Sequence, residues 1–97
     1  MRHIRLDLQY DGTSYSGWQV QVKETTVQGV LEDAVFTVTG TRERVTGASR
    51  TDAGVHALHQ VAAFRTTSTL EPATVMRALN ANLPRDIRVT AAAECPA

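Results

Sequence analysis

The chain has 97 residues, 42% hydrophobic and 21% charged, with ten basic side chains balanced by ten acidic ones and a single cysteine. That length suits one domain with a modest core, and the composition excludes collagen-like, coiled-coil and wholly disordered classes. One cysteine excludes an internal disulfide, a zinc ribbon and a dithiol redox pair, while the charge balance argues only weakly against a nucleic-acid partner, because binding depends on where charge sits.

Residues 3 to 10 alternate: Ile4, Leu6, Leu8 and Tyr10 on one side, His3, Arg5, Asp7 and Gln9 on the other. This is the period of a half-buried strand. Met1-Arg2-His3-Ile4-Arg5-Leu6 has no apolar signal-like core, and no run approaches the ~20 apolar residues of a membrane span, so the expectation is a soluble, cytoplasmic protein. Asp11-Gly12-Thr13-Ser14 breaks the strand with turn chemistry. A polar, glycine-bearing stretch carrying Gly17-Trp18-Gln19 follows, long enough to be either functional or loosely ordered.

A helix comes next. Thr25 and Gln28 fit a capping box, Val27, Val30, Leu31, Ala34, Val35 and Val38 form an apolar stripe, and Gly40 supplies the stop. A short strand is predicted around 42–46, a loop over 47–56, and a strand around 57–65. Pro72 opens a second helix, with Val75, Met76, Leu79 and Leu83 inward and Pro84 closing it. Ile87, Val89, Ala91 and Ala93 mark a last strand, followed by Cys95-Pro96-Ala97, which make no convincing domain end. The order β-α-β-β-α-β predicts an α+β, ferredoxin-like fold, with two helices on one face of a four-stranded antiparallel sheet.

The loop Gly47-Ala48-Ser49-Arg50-Thr51-Asp52-Ala53-Gly54-Val55-His56 is far longer than a tight hairpin, and it places a cation, a hydroxyl and a carboxylate between glycines. Asp52 is the only acid between Glu43 and Glu71. In such a loop it fits a nucleophile, a general base or a metal ligand, and equally an Asx-turn acceptor that holds a bend. Arg50 fits a solvated surface charge or a contact to phosphate or base. His56 and His59 have no third ligand nearby and sit three apart on a strand, on opposite faces, which argues against a metal site. Trp18 can stack on RNA or pack under its own loop.

Residues 47–57, GASRTDAGVHA, resemble the active-site motif of the tRNA pseudouridine synthases of the bacterial TruA type. The resemblance runs through Tyr10-Asp11-Gly12-Thr13, Gly17-Trp18-Gln19, Thr26-Val27-Gln28, Gln60-Val61 and Asn80-Ala81-Asn82-Leu83-Pro84, over essentially the whole chain. Two positions depart from the family pattern: Ser49 stands where glycine is expected, and Val20 where Arg is common.

The resemblance implies that Asp52 attacks the target uridine, by way of C1′ or a glycal. The N-glycosidic bond breaks and the base rejoins through C5. It further implies that Arg50 takes the flipped nucleotide's place in the stack, that Thr51 orients the turn, and that Gln19 and His56 help bind RNA. No cofactor or metal is implied. The expected partner is the anticodon stem-loop of tRNA, at positions 38 to 40, with a homodimer in the longer proteins. Residues 1–97 would then be the N-terminal half of a catalytic unit whose second half brings a tyrosine and a basic residue, so that these residues alone are expected to be inactive. The alternative is a non-catalytic RNA-binding module of the RRM type, which has the same element order but needs aromatics on the open sheet face. Charge also fits the resemblance: from Gly40 to Leu70, Arg42, Arg44, Arg50 and Arg65 face only Glu43 and Asp52.

Overall fold

A computed structural model describes residues 1–95; the predicted chain end at Pro96-Ala97 lies outside the described residues. Four strands form one antiparallel sheet: β1 (Arg2–Tyr10), β2 (Thr46–Gly47), β3 (Ala57–Thr66) and β4 (Ile87–Cys95), in the spatial order β2-β3-β1-β4. The helices α1 (Val27–Thr39) and α2 (Pro72–Asn82) cover one face, as the ferredoxin-like reading requires.

The alternation in β1 decides which face is covered. Ile4, Leu6, Leu8 and Tyr10 are buried with Ala62 and Phe64 of β3 and Ile87 and Val89 of β4. Val27, Leu31, Ala34 and Val35 of α1, with Val75 and Leu79 of α2, close the core from above. Each fully buried aliphatic side chain of this kind contributes about 1.5–3 kcal/mol, so the stripe sets the fold and the loops ride on it. The opposite face carries His3, Arg5 and Asp7 opposite Arg65, Ala63 and Val61 of β3, and Cys95, Ala93 and Ala91 of β4.

Two local expectations are corrected. The N-cap of α1 is Thr26, whose hydroxyl accepts the Gly29 N–H at 3.2 Å, and the predicted Thr25–Gln28 box does not form. Thr25 is tied elsewhere, its carbonyl accepting the Ser16 N–H at 2.8 Å. The buried Gln28 amide accepts from Val20 N–H at 2.8 Å and donates to Val45 O at 2.6 Å, so it does not turn back to cap its own helix. That bridge also explains the second correction, the strand predicted over 42–46, which is only Thr46–Gly47. The Val45 carbonyl is spent on Gln28 and its N–H on the Glu32 carboxylate at 2.9 Å, leaving that backbone nothing to offer a ladder. The stop at Gly40 and the Pro72 start of α2 are as read from the sequence.

A bulge in β3 positions the site end of the sheet. Leu8 pairs with Gln60 and Tyr10 with Ala57, so Leu58 and His59 together oppose Gln9. Strand parity alone would send Leu58 to the core with Gln60. The extra residue instead turns it outward, and it is 91% exposed beside the 47–56 loop.

Candidate active site

The loop joining β2 to β3 is fastened at each stage of its path. Ala48 N–H donates to Val61 O at 2.8 Å. Gln60, only 3% exposed, donates to Ser49 O at 2.8 Å while its own carbonyl oxygen accepts the Val61 N–H at 3.0 Å. Ser49, the departure from the family pattern, places its hydroxyl 3.3 Å from that same Gln60 oxygen, so the added side chain has a partner. Farther along, the Trp18 N–H donates to Thr51 O at 3.0 Å, and the Tyr10 and Thr51 hydroxyls share a 2.6 Å hydrogen bond. Trp18 is 2% exposed, lies against Gly47 and stacks on Tyr10 with ring centroids 6.3 Å apart. Its role is therefore packing, and the packing reaches Gly47, where the 47–56 loop begins.

Asp52 opens a four-residue turn closed by Val55 N–H to Asp52 O at 3.1 Å, with Gly54 at φ +77° in the third position, where a type II turn needs a positive φ. An Asx turn would spend the Asp52 carboxylate on the Gly54 N–H. That N–H donates instead to Tyr15 O at 3.1 Å. The bend is thus held by backbone from the Gly12–Gly17 segment, and the exposed carboxylate has no structural task in it. Among the described residues no ion pair involves Asp52 or Arg50.

Asp52, Thr51, Arg50 and Gln19 line one open cleft of about 410 Å³, together with Ser16 and Glu24. Four of the five site residues read from the sequence are therefore brought together. His56 is not. It lines a separate hollow of about 420 Å³ with Gln9, Leu58, Arg85, Asp86 and Arg88.

There the His56 Nδ1 sits 2.9 Å from the Gly12 N–H and 3.1 Å from Asp11 Oδ1. A neutral Nδ1 can accept from Gly12 and a protonated one can donate to Asp11, but one atom does not do both. The Asp11 carboxyl is held below its ordinary range, chiefly by the Thr13 hydroxyl and backbone N–H, which both donate to it. His56 thus braces the strand end that carries Tyr10, without touching the cleft.

Tyr10, Tyr15 and Gln60 also shape the site, although none of them was read from the sequence as a site residue. Signals were available in the resemblance, which runs through Tyr10-Asp11-Gly12-Thr13 and Gln60-Val61, and in a glutamine, ordinarily an exposed residue, at a core-facing strand position. Among the described residues no group of three or more His, Cys, Asp or Glu side chains is arranged to hold a metal. Phosphate, base and ribose contacts are what Arg50, Gln19 and Asp52 offer chemically.

Sequence comparison places the chain among known proteins. A sequence model described as tRNA pseudouridine synthase matches residues 8–97. The tRNA pseudouridine synthase A of Caldicellulosiruptor saccharolyticus is 50% identical over 94 residues, which cover 97% of this chain and 38% of that protein. The proteins of the same name from Clostridium botulinum and Maridesulfovibrio salexigens are 48% and 51% identical over 89 residues each, or 36% and 33% of their lengths. The chain therefore spans between a third and two fifths of the length of these relatives. With the family's sequence matched from β1 onward and the Arg50-Thr51-Asp52 loop presented on a ferredoxin-like sheet, the chain belongs to the tRNA pseudouridine synthase family.

Proposed function

We propose that the chain is the N-terminal half of the catalytic unit of a tRNA pseudouridine synthase and that Asp52 is its nucleophile, acting on uridines of the anticodon stem-loop at positions 38 to 40. The observation that carries this reading is the Gly54 N–H bond to Tyr15 O, which holds the turn without the Asp52 carboxylate and leaves that group presented in the cleft beside Arg50 and Gln19. Asp52 engages the ribose as the C1′–N1 bond breaks. The freed uracil turns, C5 bonds to C1′, the C5 proton is lost and N1 gains one, so the reaction is an isomerisation with no net redox change. Arg50 fills the stack vacated by the flipped nucleotide, its planar guanidinium replacing a base while meeting the backbone. Tyr10 and Trp18 hold Thr51, and through it the approach to Asp52.

A non-catalytic base-reading module is disfavoured by the sheet itself. Tyr10 and Phe64 face the core, Tyr15 and Trp18 are buried, and Phe36 lies on α1 under Arg42, so among the described residues no Phe, Tyr or Trp stands on the open face to stack a base. The second half of the unit, supplying a tyrosine against the uracil and a basic partner for Asp52, is expected in the longer protein, which acts in the cytoplasm as a homodimer holding one tRNA across both protomers.

The test is tritium release from tRNA carrying 5-tritiated uridine. A protein of the relatives' length containing this chain should turn over, while its Asp52→Ala variant and residues 1–97 alone should not. Release by the Asp52→Ala protein would overturn the assignment, and robust release by the 97-residue chain would overturn the need for a second half.

A further inference from the structure

Arg50 and Gln19 line two clefts, not one. Besides the cleft that holds Asp52, they border a smaller one of about 230 Å³, whose other walls include Trp18, Gln28 and Arg44. The two hollows differ in charge. The Asp52 cleft carries the acids Asp52 and Glu24 against one arginine, whereas the smaller cleft is lined by Arg44 and Arg50 and by no acid. Across the Arg50 ridge, the surface changes from one suited to a ribose to one suited to an anion.

Of the four arginines in the 40–70 stretch, only these two meet in a cleft. Arg42 is committed to Asp33 at 2.6 Å and stacks over Phe36 at 4.7 Å. Arg65 lies opposite His3 on the open sheet face. Arg44 is held differently. Its Nε lies 3.5 Å from Glu32 Oε2, with the Arg44 side chain 66% exposed and Glu32 only 12%. The Glu32 carboxylate is itself fixed, since it accepts the Val45 N–H at 2.9 Å. A guanidinium steadied through Nε keeps both terminal nitrogens for a second, bidentate partner, the geometry that phosphate oxygens match. Gln28 sets the width of the cleft, because its buried amide bridges Val20 N–H and Val45 O, the backbone neighbours of Gln19 and Arg44.

We infer that the cleft between Arg44 and Arg50 is a phosphodiester-binding site. It holds a backbone phosphate of the RNA next to the nucleotide presented to Asp52, with Arg44 as a positioning residue. The inference deepens the synthase reading and rests on it for the identity of the anion's carrier. Arg50 serves both sides of the ridge, and Arg44 serves the phosphate alone.

The test uses the 97-residue chain and a fluorescein-labelled anticodon stem-loop RNA. Arg44→Gln should weaken binding several-fold and lower the slope of log affinity against log salt by about one, as expected for one lost phosphate contact. Arg77→Gln removes the same charge from the exposed face of α2, away from the cleft, and should change neither by more than a small fraction. In nitrogen-labelled protein, the Nε–Hε signals of Arg44 and Arg50 should shift together on RNA addition while that of Arg77 stays. Equal affinity and salt slope for wild type and Arg44→Gln, an unmoved Arg44 signal, or no RNA binding by the wild-type chain would each overturn the site. The synthase reading fails on a different result, turnover by the longer Asp52→Ala protein, so the two failures are distinguishable.

Discussion

The hydroxyls of Tyr10 and Thr51 meet at 2.6 Å, joining the last residue of β1 to the residue that precedes Asp52. Tyr10 is buried, is stacked on Trp18 and pairs with both Ala57 and Ile87 across the sheet, so this one bond ties the loop to the buried centre of the sheet. Tyr10→Phe keeps the ring and removes the tether. It should cost about 1 kcal/mol in urea unfolding, the value of one partly buried hydrogen bond. Exchange of the Trp18 amide, which donates to Thr51 O, should quicken in the same variant. In the longer protein kcat should fall about tenfold with little change in KM, because a loosened loop misplaces the carboxylate without removing a binding contact. An unchanged kcat would show that the loop is held adequately by Trp18 alone.

Gly17 and Gly40 offer a paired measurement. Both have a positive φ, +87° and +79°. At Gly40 a methyl group would meet nothing within 4 Å, whereas at Gly17 it would lie 2.7 Å from Thr51 O. Gly40→Ala should therefore cost only the backbone strain, about 1 kcal/mol. Gly17→Ala adds a clash with the carbonyl that accepts the Trp18 N–H and should cost about 3 kcal/mol, read from the same unfolding curves. Equal losses would mean that the loop yields freely at Thr51.

Much of this was legible in the sequence, and the rest failed for identifiable reasons. The alternation in β1, the valine stripe of α1, Gly40 and Pro72 are local signals, and each element stands where its signal puts it. The Thr25–Gln28 box and the 42–46 strand failed together, because both depended on where one amide goes. Gln28 is a good capping residue by spacing, but its partners Val20 and Val45 are distant in sequence and come near only after folding. At the site, residue types pointed to Arg50 and Asp52 and the family resemblance added Thr51 and Gln19, which line the same cleft, while His56, four residues past Asp52, lines a different hollow. A turn closed between Asp52 and Val55 separates them, and no spacing rule carries that.

Tyr15 and Asp86 give the fold an alkaline limit. The Tyr15 hydroxyl donates to Asp86 Oδ1 at 2.6 Å, and its pKa is raised from 10.0, first by burial and then by that carboxylate. A group with a raised folded-state pKa adds stability that is complete below the unfolded value and is lost as pH climbs toward the folded one. Unfolding free energy should therefore decline as pH rises past 10.0, and Tyr15→Phe should show a shallower decline over the same range. The measurement is denaturant unfolding at a series of alkaline pH values. Identical slopes for the two proteins would mean that the phenol titrates alike folded and unfolded.

Asn80 and Asn82 both stand near the end of α2, where either reads as a helix cap, yet they do different work. Asn82 donates to Ala78 O at 2.8 Å, within its own helix. The Asn80 side chain donates to Val89 O and accepts from Val89 N–H, both at 2.9 Å, so it satisfies both backbone groups of one residue of β4. β4 lies at the border of the sheet with only β1 beside it, and a strand in that position exposes a template for pairing with other chains. Removing the Asn80 amide leaves two backbone groups unpaired next to the buried Val89 side chain. Asn80→Ala should cost about 2 kcal/mol, against less than about 0.5 kcal/mol for Asn82→Ala. The Asn80 variant should also self-associate as concentration rises, seen by sedimentation velocity, because the freed edge accepts a strand from a second molecule. A monomeric Asn80→Ala protein of undiminished stability would show that water satisfies Val89 as well as the amide does.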